Sequence, residues 1–258
     1  NGMKYRLGEL FSGPGGMSLG AMMAEFDDGE NIHSIVHQWA SDYDKDSCLT
    51  YTKNLCPDSP NTVYHCDVKD LDIPSLPPID ILAFGFPCND FSIVGETKGI
   101  DGKFGMLYKY GVKVLNSHNP MAFVAENVSG IKGANGGMAW ERITEDLEKA
   151  GKGYDLHVHH YYFEHYGVPQ MRHRYIIVGI RKDLKLEFQH PDPTTKGHPL
   201  TCRDALHTPE IPATATHHEI RQLQSQVQER LSFIKPGENA WSEDIPERLR
   251  LNVKGARL

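Results

Sequence analysis

Long apolar runs are missing from this sequence: nowhere in its 258 residues do about 18 apolar residues follow one another, so no membrane span is indicated. An amino-terminal secretory pattern is missing too. Cysteine is scarce and odd in number, with five residues (Cys48, Cys56, Cys66, Cys88 and Cys202) and no paired metal spacing. That excludes a disulfide framework and points to a reduced, cytoplasmic compartment. No metal site is expected. His157, His159, His160 and His165 lie along one strand-like stretch without partner cysteines. Positive charge is also short, with 27 Lys and Arg against 34 Asp and Glu and a net charge of −7. A uniformly basic surface is thereby excluded, and any phosphate-binding face has to be local. Arg172, Arg174, Arg181, Lys182 and Lys185 are the residues that gather to make one.

What is present is a series of strand ends that carry chemistry. The run Ile79–Phe84 reads as a buried parallel strand and leads into Gly85-Phe86-Pro87-Cys88-Asn89-Asp90-Phe91-Ser92. Pro87 stiffens the backbone and presents Cys88 where open α/β sheets place their ligands. Upstream, the strand Tyr5–Phe11 runs into Ser12-Gly13-Pro14-Gly15-Gly16, and a helical pattern begins near Met17. Strand, glycine turn and helix form a nucleotide-type cradle. It is not the dinucleotide fingerprint, because the third glycine of that spacing falls on Ser18. A second strand, Ser34–Ala40, ends in Ser41-Asp42-Tyr43. Asp42 suits either ribose hydroxyls or a helix cap, and Tyr43 suits the face of an adenine. Met121–Val124 leads to Ala125-Glu126-Asn127-Val128, and Gly167-Val168-Pro169-Gln170-Met171-Arg172-His173-Arg174 leads into a strand at Tyr175–Gly179. The two arginines and the glutamine are planar donors that match phosphate or a base edge.

Strands and helices alternate from residue 4 to about 182, the pattern of a doubly wound sheet. Prolines then cluster over 188–217, which reads as an extended connector. A helical stripe follows over 218–234, with Ile220, Leu223, Val227, Leu231 and Ile234. The expected division is 4–182 as a catalytic domain and 183–258 as a connector with the start of a smaller recognition lobe.

These motifs, in this order, resemble the cytosine-5 DNA methyltransferases. The matching residues are Phe11 to Gly16, Asp42, Pro87-Cys88, Glu126 to Val128, and Gln170 to Arg174. Asp67-Val68 and Gly105-Met106-Leu107-Tyr108 fit further motifs of that family. The resemblance is strong over 4–182 and weak beyond. It implies a Rossmann-like α/β fold with a mixed sheet, S-adenosylmethionine as cofactor, and double-stranded DNA as substrate, in a bacterial restriction-modification setting. It also implies a division of roles. Cys88, Glu126, Arg172 and Arg174 would be catalytic. Phe11, Gly13, Pro14, Gly16, Asp42, Tyr43, Asp67, Val68, Pro87 and Leu107 would line the cofactor pocket. Asn89, Ser92, Lys98 and Gln170 would touch DNA, with 89–104 as a mobile loop closing over it. Two positions depart from the family pattern, Asn89 after the nucleophile and Phe104 before Gly105.

The implied chemistry explains the residue types. A thiolate adding to carbon 6 of cytosine pushes electron density onto carbon 5, which is covalent catalysis. A carboxyl at the ring nitrogen and exocyclic amine holds the base as charge develops. The base has to leave the duplex to be reached. No later family motif is recognised after Arg181. This leads to the expectation that 1–258 acts with a second polypeptide or a missing continuation. A tRNA cytosine-5 methyltransferase and a silent nucleic-acid-binding relative are the alternative readings. A dinucleotide-dependent oxidoreductase is disfavoured by Ser18.

Overall fold

The structure is a computed structural model that describes residues 2–86, 107–216 and 222–251, with backbone alone at 134–136. Its contacts divide the chain into two units, 1–200 and 201–258.

The first unit is an 8-stranded sheet with helices packed on it. Its strands are β1 (Lys4–Leu10), β2 (Glu25–Asp27), β3 (Ile32–Asp42), β4 (Val63–His65), β5 (Ile81–Gly85), β6 (Ala122–Val128), β7 (Tyr154–Tyr162) and β8 (His173–Arg181). The spatial order is β2-β3-β1-β5-β6-β8-β7, and β4 joins the outer edge of β3. β1, β3, β4, β5 and β6 pair in parallel, while β8 runs antiparallel between β6 and β7. The expected mixed α/β sheet is therefore present. Its α-helices among the described residues are α1 (Gly16–Met22), α2 (Lys45–Leu55), α3 (Tyr108–His118) and α4 (Met138–Lys149).

β1, β3, β5, β6, β7 and β8 lie where strand-like runs are expected, with offsets at their ends, while β2 and β4 were not anticipated. β5 starts two residues after Ile79 because Asp80 is drawn into another contact. Its carboxylate takes the Arg6 amide at 2.8 Å and both sides of the Arg6 guanidinium at 2.9 Å. The core is built on these strands. Phe84 of β5, Phe123 of β6 and Tyr154 of β7 stack in sequence, with ring centroids 6.1 and 5.1 Å apart. Val114 and Leu115 of α3 and Ile143 and Leu147 of α4 join the same buried cluster.

The register places the chemistry. Leu10 of β1 lies beside Ser41 of β3 and Phe84 of β5. Gly85 lies beside Glu126, and Val128 beside Arg174. The carboxyl ends of the parallel strands and the amino end of β8 thus share one edge, where open α/β sheets bind ligands. Arg181 and Lys182 are at the far end of β8, about 23 Å from Arg174 at about 3.3 Å per residue. There they pair with Asp183 at 2.7 Å and Glu148 at 3.0 Å. The expected basic gathering from Arg172 to Lys185 is consequently split by the extended strand, and the far half is neutralised by acids.

In the second unit, α5 (Cys202–His207) forms inside the stretch expected to be an extended connector. The reason is a capping box: the Thr201 hydroxyl accepts from the Asp204 amide and Asp204 accepts from the Thr201 amide. The helix expected over 218–234 is, among the described residues, confined to α6 (Ser225–Ser232), because Gln224 is extended at ψ 145° and caps it. Ile245 and Leu249 are buried. Arg230 and Arg250 donate to the carbonyls of Leu249 and Ile245, respectively. Among the described residues no helix is long and apolar enough to cross a membrane.

Candidate active site

At the end of β1 the chain turns sharply. Phe11 takes a positive φ of 54°, which is costly for an aromatic residue and marks a constrained position. Gly13 and Gly15 follow at φ 53° and 98°. A Cβ at Gly13 or Gly16 would meet no atom within 4 Å, whereas one at Gly15 would lie 2.5 Å from Leu55 and 2.7 Å from Tyr51. The turn is therefore two-sided: Gly15 lets α2 approach from below, and open space lies over Gly13 and Gly16.

Asp42, at the end of β3, faces this turn. One carboxylate oxygen accepts from the Gly13 amide at 2.8 Å and the other from the Asp44 amide at 2.9 Å. The helix cap of α2 is Asp44, which accepts from the Ser47 amide at 2.7 Å. Asp42 is thus free of the capping role and tied to the glycine turn. A carboxylate offers about four lone-pair sites, so two amide bonds leave room for hydroxyl donors. Tyr43 follows it with its side chain 78% exposed. The Cys66 amide donates to the Asp42 carbonyl at 3.1 Å, which brings Asp67 and the buried Val68 to the same edge. Leu107 is buried at the start of α3, and its neighbour Tyr108 packs against Phe86, with centroids 6.1 Å apart. Pro14 is exposed on top of the turn.

The second half of the site is on β5, β6 and β8. Along β6 side chains alternate, so Glu126 and Asn127 leave opposite faces. Glu126 reaches over Gly85: a Cβ there would lie 3.2 Å from its Oε2 and 3.8 Å from the Met17 methyl of α1. Arg174 Nε is 2.8 Å from Glu126 Oε1. The approach is one of charge, because that buried N–H does not point along it and has no hydrogen-bond partner. The guanidinium is anchored instead by Nη1, which donates to the His173 carbonyl at 2.7 Å. Asn127 turns inward. Its buried amide donates to the Phe86 carbonyl at 3.1 Å and its oxygen accepts from the Val128 amide at 2.7 Å. Phe86 immediately precedes Pro87-Cys88 in the sequence, so this clamp fixes the last described residue before the cysteine.

The expected residues therefore divide. Gly13 and Asp42 touch. Glu126 and Arg174 touch, with Gly85 and Met17 beside them. Gln170 and Arg172 are exposed in the turn before β8, and Arg172 joins the fold through its backbone carbonyl, which accepts from Phe163 at 3.0 Å. Pro87, Cys88, Asn89, Ser92, Lys98 and the expected loop 89–104 lie outside the described residues. Residues the sequence reasoning missed are Gly15, Met17 and the inward role of Asn127. The first had a signal, since a glycine in a tight strand-to-helix turn often marks close backbone approach.

The histidines on β7 do not converge on an ion. His160 stacks on Tyr175 at 4.4 Å, His159 lies 4.6 Å from Tyr161, and Tyr162 lies 4.3 Å from His173. They form an aromatic ladder along the β7–β8 pair. Among the described residues no group of three potential ligands is placed to hold a metal.

Known proteins show which family the chain resembles. The family model for C-5 cytosine-specific DNA methylase matches residues 5–256, so the family's sequence continues well beyond the region where its motifs are recognisable by eye. Type II methyltransferase M.BbvI of Brevibacillus brevis is 52% identical, over 99% of this chain and 70% of its own length. M.NgoFVII of Neisseria gonorrhoeae is 33% identical over 98% of this chain and 65% of its own length. A crystal structure of a prophage-encoded DNA modification methyltransferase from E. coli is matched with a TM-score of 0.62 at 27% identity, over 81% of this chain and 56% of that one. S. pombe Dnmt2 methyltransferase, at 16% identity and a TM-score of 0.53, shares the fold. The chain thus spans roughly half to seven tenths of the length of these relatives. A second polypeptide gains no support from them, since the family match runs through the segment where the resemblance is weak. By the extent of that match, this chain belongs to the C-5 cytosine-specific DNA methylases.

Proposed function

We propose that this chain methylates carbon 5 of cytosine within a defined DNA sequence, with Cys88 as covalent nucleophile. The observation that supports it best is the pairing of Glu126 with Arg174 beside Gly85, three residues before Cys88, while Asn127 clamps the Phe86 carbonyl. A carboxylate and a guanidinium are held at the mouth of the stem that carries the thiol.

The open space over Gly13 and Gly16, with the Asp42 carboxylate at its edge, fits S-adenosylmethionine. Gly13 and Gly16 would approach it through backbone, Asp42 would accept from its hydroxyls, and Tyr43 and Val68 would flank its base. When bound, this cofactor supplies an electrophilic methyl group. The protein's own residues do the rest. Cys88 adds as thiolate to carbon 6 of a flipped-out cytosine. Glu126 accepts from the exocyclic amine and, carrying a proton, donates to ring nitrogen 3, so that charge developing on the ring is met by a hydrogen bond. The Arg174 N–H that lacks a partner is free to take the cytosine carbonyl oxygen while its charge orients Glu126. Loss of the carbon 5 proton then allows elimination of Cys88. Gln170 and Arg172, exposed beside this edge, are suited to DNA backbone or base contacts.

The test is methylation of plasmid DNA by the full chain, mapped at base resolution, with Cys88→Ser alongside and transfer RNA as a competing substrate. A single modified motif, lost in the variant, is expected, as is a covalent adduct with 5-fluorocytosine DNA that requires Cys88. Activity surviving Cys88→Ser, or methylation of RNA alone, overturns the reading.

A further inference from the structure

β1 carries a carboxyl group that none of these steps uses. Glu9 is 2% exposed, two residues before the turn at Phe11, in a strand otherwise sealed by Leu7 and Leu10. Its Oε2 contacts the hydroxyl of Ser18, which is itself buried on α1. Ser18 Oγ is 2.9 Å from the Tyr51 hydroxyl of α2, and that hydroxyl is 3.0 Å from His37 Nδ1 on β3. His37 Nε2 is 2.7 Å from Thr62 Oγ1, which lies 2.6 Å from the Ser59 carbonyl.

Hydroxyl protons can turn either way along such a chain, so the direction is set by its ends. The Ser59 carbonyl can only accept. At 2.6 Å its oxygen and that of Thr62 need a proton between them, so Thr62 donates there. Thr62 then has no proton for His37, and Nε2 has to donate to it. A neutral imidazole carries one proton, so Nδ1 is bare and accepts from Tyr51. The Tyr51 proton being used, Ser18 donates to Tyr51. The Ser18 proton being used, the contact with Glu9 is complete only if Glu9 supplies the proton.

We propose that Glu9 is a positioning residue that works as a neutral carboxylic acid, donating at the head of a one-way chain through Ser18, Tyr51, His37 and Thr62. The chain ties the glycine turn and α1 to α2 and β3. Other states exist. Ionised Glu9 with neutral His37 reverses Ser18 and Tyr51 and leaves one ring nitrogen facing an oxygen with no proton between them, Nδ1 and Tyr51 in one tautomer or Nε2 and Thr62 in the other. Ionised Glu9 with an imidazolium at position 37 satisfies every contact but buries two separated charges. Burial acts against both. It raises the Glu9 carboxyl to about 7 against the hydrogen bonds of the Ser18 side chain and backbone, which lower it, with the Asp42 anion adding to the rise, and it lowers His37. The other titratable groups facing the chain are Tyr51 itself, whose hydroxyl burial pushes up, and the Cys56 thiol of α2, likewise raised by burial. Neither supplies a counter-charge for an ionised Glu9.

Because the chain braces the turn that the functional reading assigns to S-adenosylmethionine, this inference rests on that reading for its consequence, though not for the protonation itself. Cofactor affinity falls as Glu9 ionises. Glu9→Gln keeps an N–H donor toward Ser18 at every pH and preserves the chain, while Glu9→Ala removes its head.

The experiment has two arms on the full chain. Infrared difference spectra of wild type minus Glu9→Gln, with 15N NMR of His37, report protonation directly. Calorimetric titration with S-adenosylmethionine runs from about pH 5.5 to about pH 8.5. Expected are a protonated carboxyl band that disappears through neutrality and the Nε2–H tautomer of His37. Wild-type affinity should drop roughly three- to tenfold on the alkaline side, flat in Glu9→Gln and already low in Glu9→Ala. A carboxylate band at the acid end, an Nδ1–H tautomer, or the same pH loss in Glu9→Gln overturns the proposal. A protonated Glu9 in a chain that binds no S-adenosylmethionine at any pH overturns the functional reading alone.

Discussion

Gly15 and Gly16 are neighbours in one motif, yet the structure assigns them opposite reasons. Alanine at 15 has to hold φ 98° and place a Cβ 2.5 Å from Leu55 Cδ1 and 2.7 Å from Tyr51 Cδ2. Tyr51 cannot retreat, because it is fully buried and its hydroxyl is held by Ser18 and His37. Backbone strain and overpacking together cost roughly 2 to 5 kcal/mol. That is a large share of a net stability of about 5–15 kcal/mol. Alanine at 16 meets nothing within 4 Å and sits in the first turn of α1, where losing glycine's freedom in the unfolded chain contributes about 0.4–1 kcal/mol of stability. Its methyl, however, enters the space assigned to the cofactor. Urea denaturation should therefore show Gly15→Ala unfolding at much lower denaturant and Gly16→Ala at or above wild type. Calorimetry should show S-adenosylmethionine affinity lost in Gly16→Ala despite its intact fold. If Gly15→Ala is as stable as wild type, the close approach of α2 has been misjudged. If Gly16→Ala binds the cofactor normally, the open space over the turn is not its site.

Asn127→Asp keeps the acceptor for Val128 but turns a second acceptor toward the Phe86 carbonyl. It should lower stability by roughly 1–3 kcal/mol and turnover by more than that loss explains, and unchanged values in thermal melts and methylation assays would refute the clamp. Asp42→Ala should weaken S-adenosylmethionine binding by roughly 1–3 kcal/mol, and calorimetry with unchanged affinity would place the hydroxyl partner elsewhere. Glu9 gives a pH signature in stability as well. Its folded value is raised to about 7 from the ordinary 4.5, so its contribution is fully present below about 4.5 and is lost as pH rises through about 7. Relative to Glu9→Gln, wild type should therefore lose stability across that window, by about 3 kcal/mol at most, and level off above it; parallel curves would show that Glu9 is ionised throughout.

Much of the sheet was legible because each strand carries its own local pattern. β1, β3, β5 and β6 are apolar runs ending in glycine, acid or Pro-Cys, and both their existence and their ends could be read from the residues. What could not be read depends on partners distant in the chain. β8 is antiparallel between β6 and β7, and nothing within His173–Arg181 states that. This pairing puts Arg174 opposite Val128, where it reaches Glu126, and carries Arg181 to the far edge. A basic cluster in sequence thereby becomes two sites with different company. In the second unit the apolar stripe of 218–234 suggested more helix than is found among the described residues, since periodicity does not report where the backbone turns extended at Gln224. The Thr201–Asp204 box went unread, because the prolines around it suggested an extended connector.

Ser18 shows how an apparent defect can be a design. By spacing alone it is the residue that breaks a dinucleotide fingerprint, where a glycine would let helix and strand pack closely. The structure fills that place with hydrogen bonds instead of proximity: Ser18 joins Glu9 of β1 to Tyr51 of α2 across α1. The same Tyr51 lies against Gly15, whose lack of a side chain lets it approach. The turn is thus gripped from below by a polar chain and left open above, and the two requirements act on adjacent residues. A glycine at 18 would give the close packing but leave the Glu9 carboxyl and the Tyr51 hydroxyl buried without their common partner, a cost of about 1–3 kcal/mol for each group left unpaired. The serine is therefore consistent with a cradle for a different nucleotide-like cofactor, held in place by the protonation of a residue that never touches it.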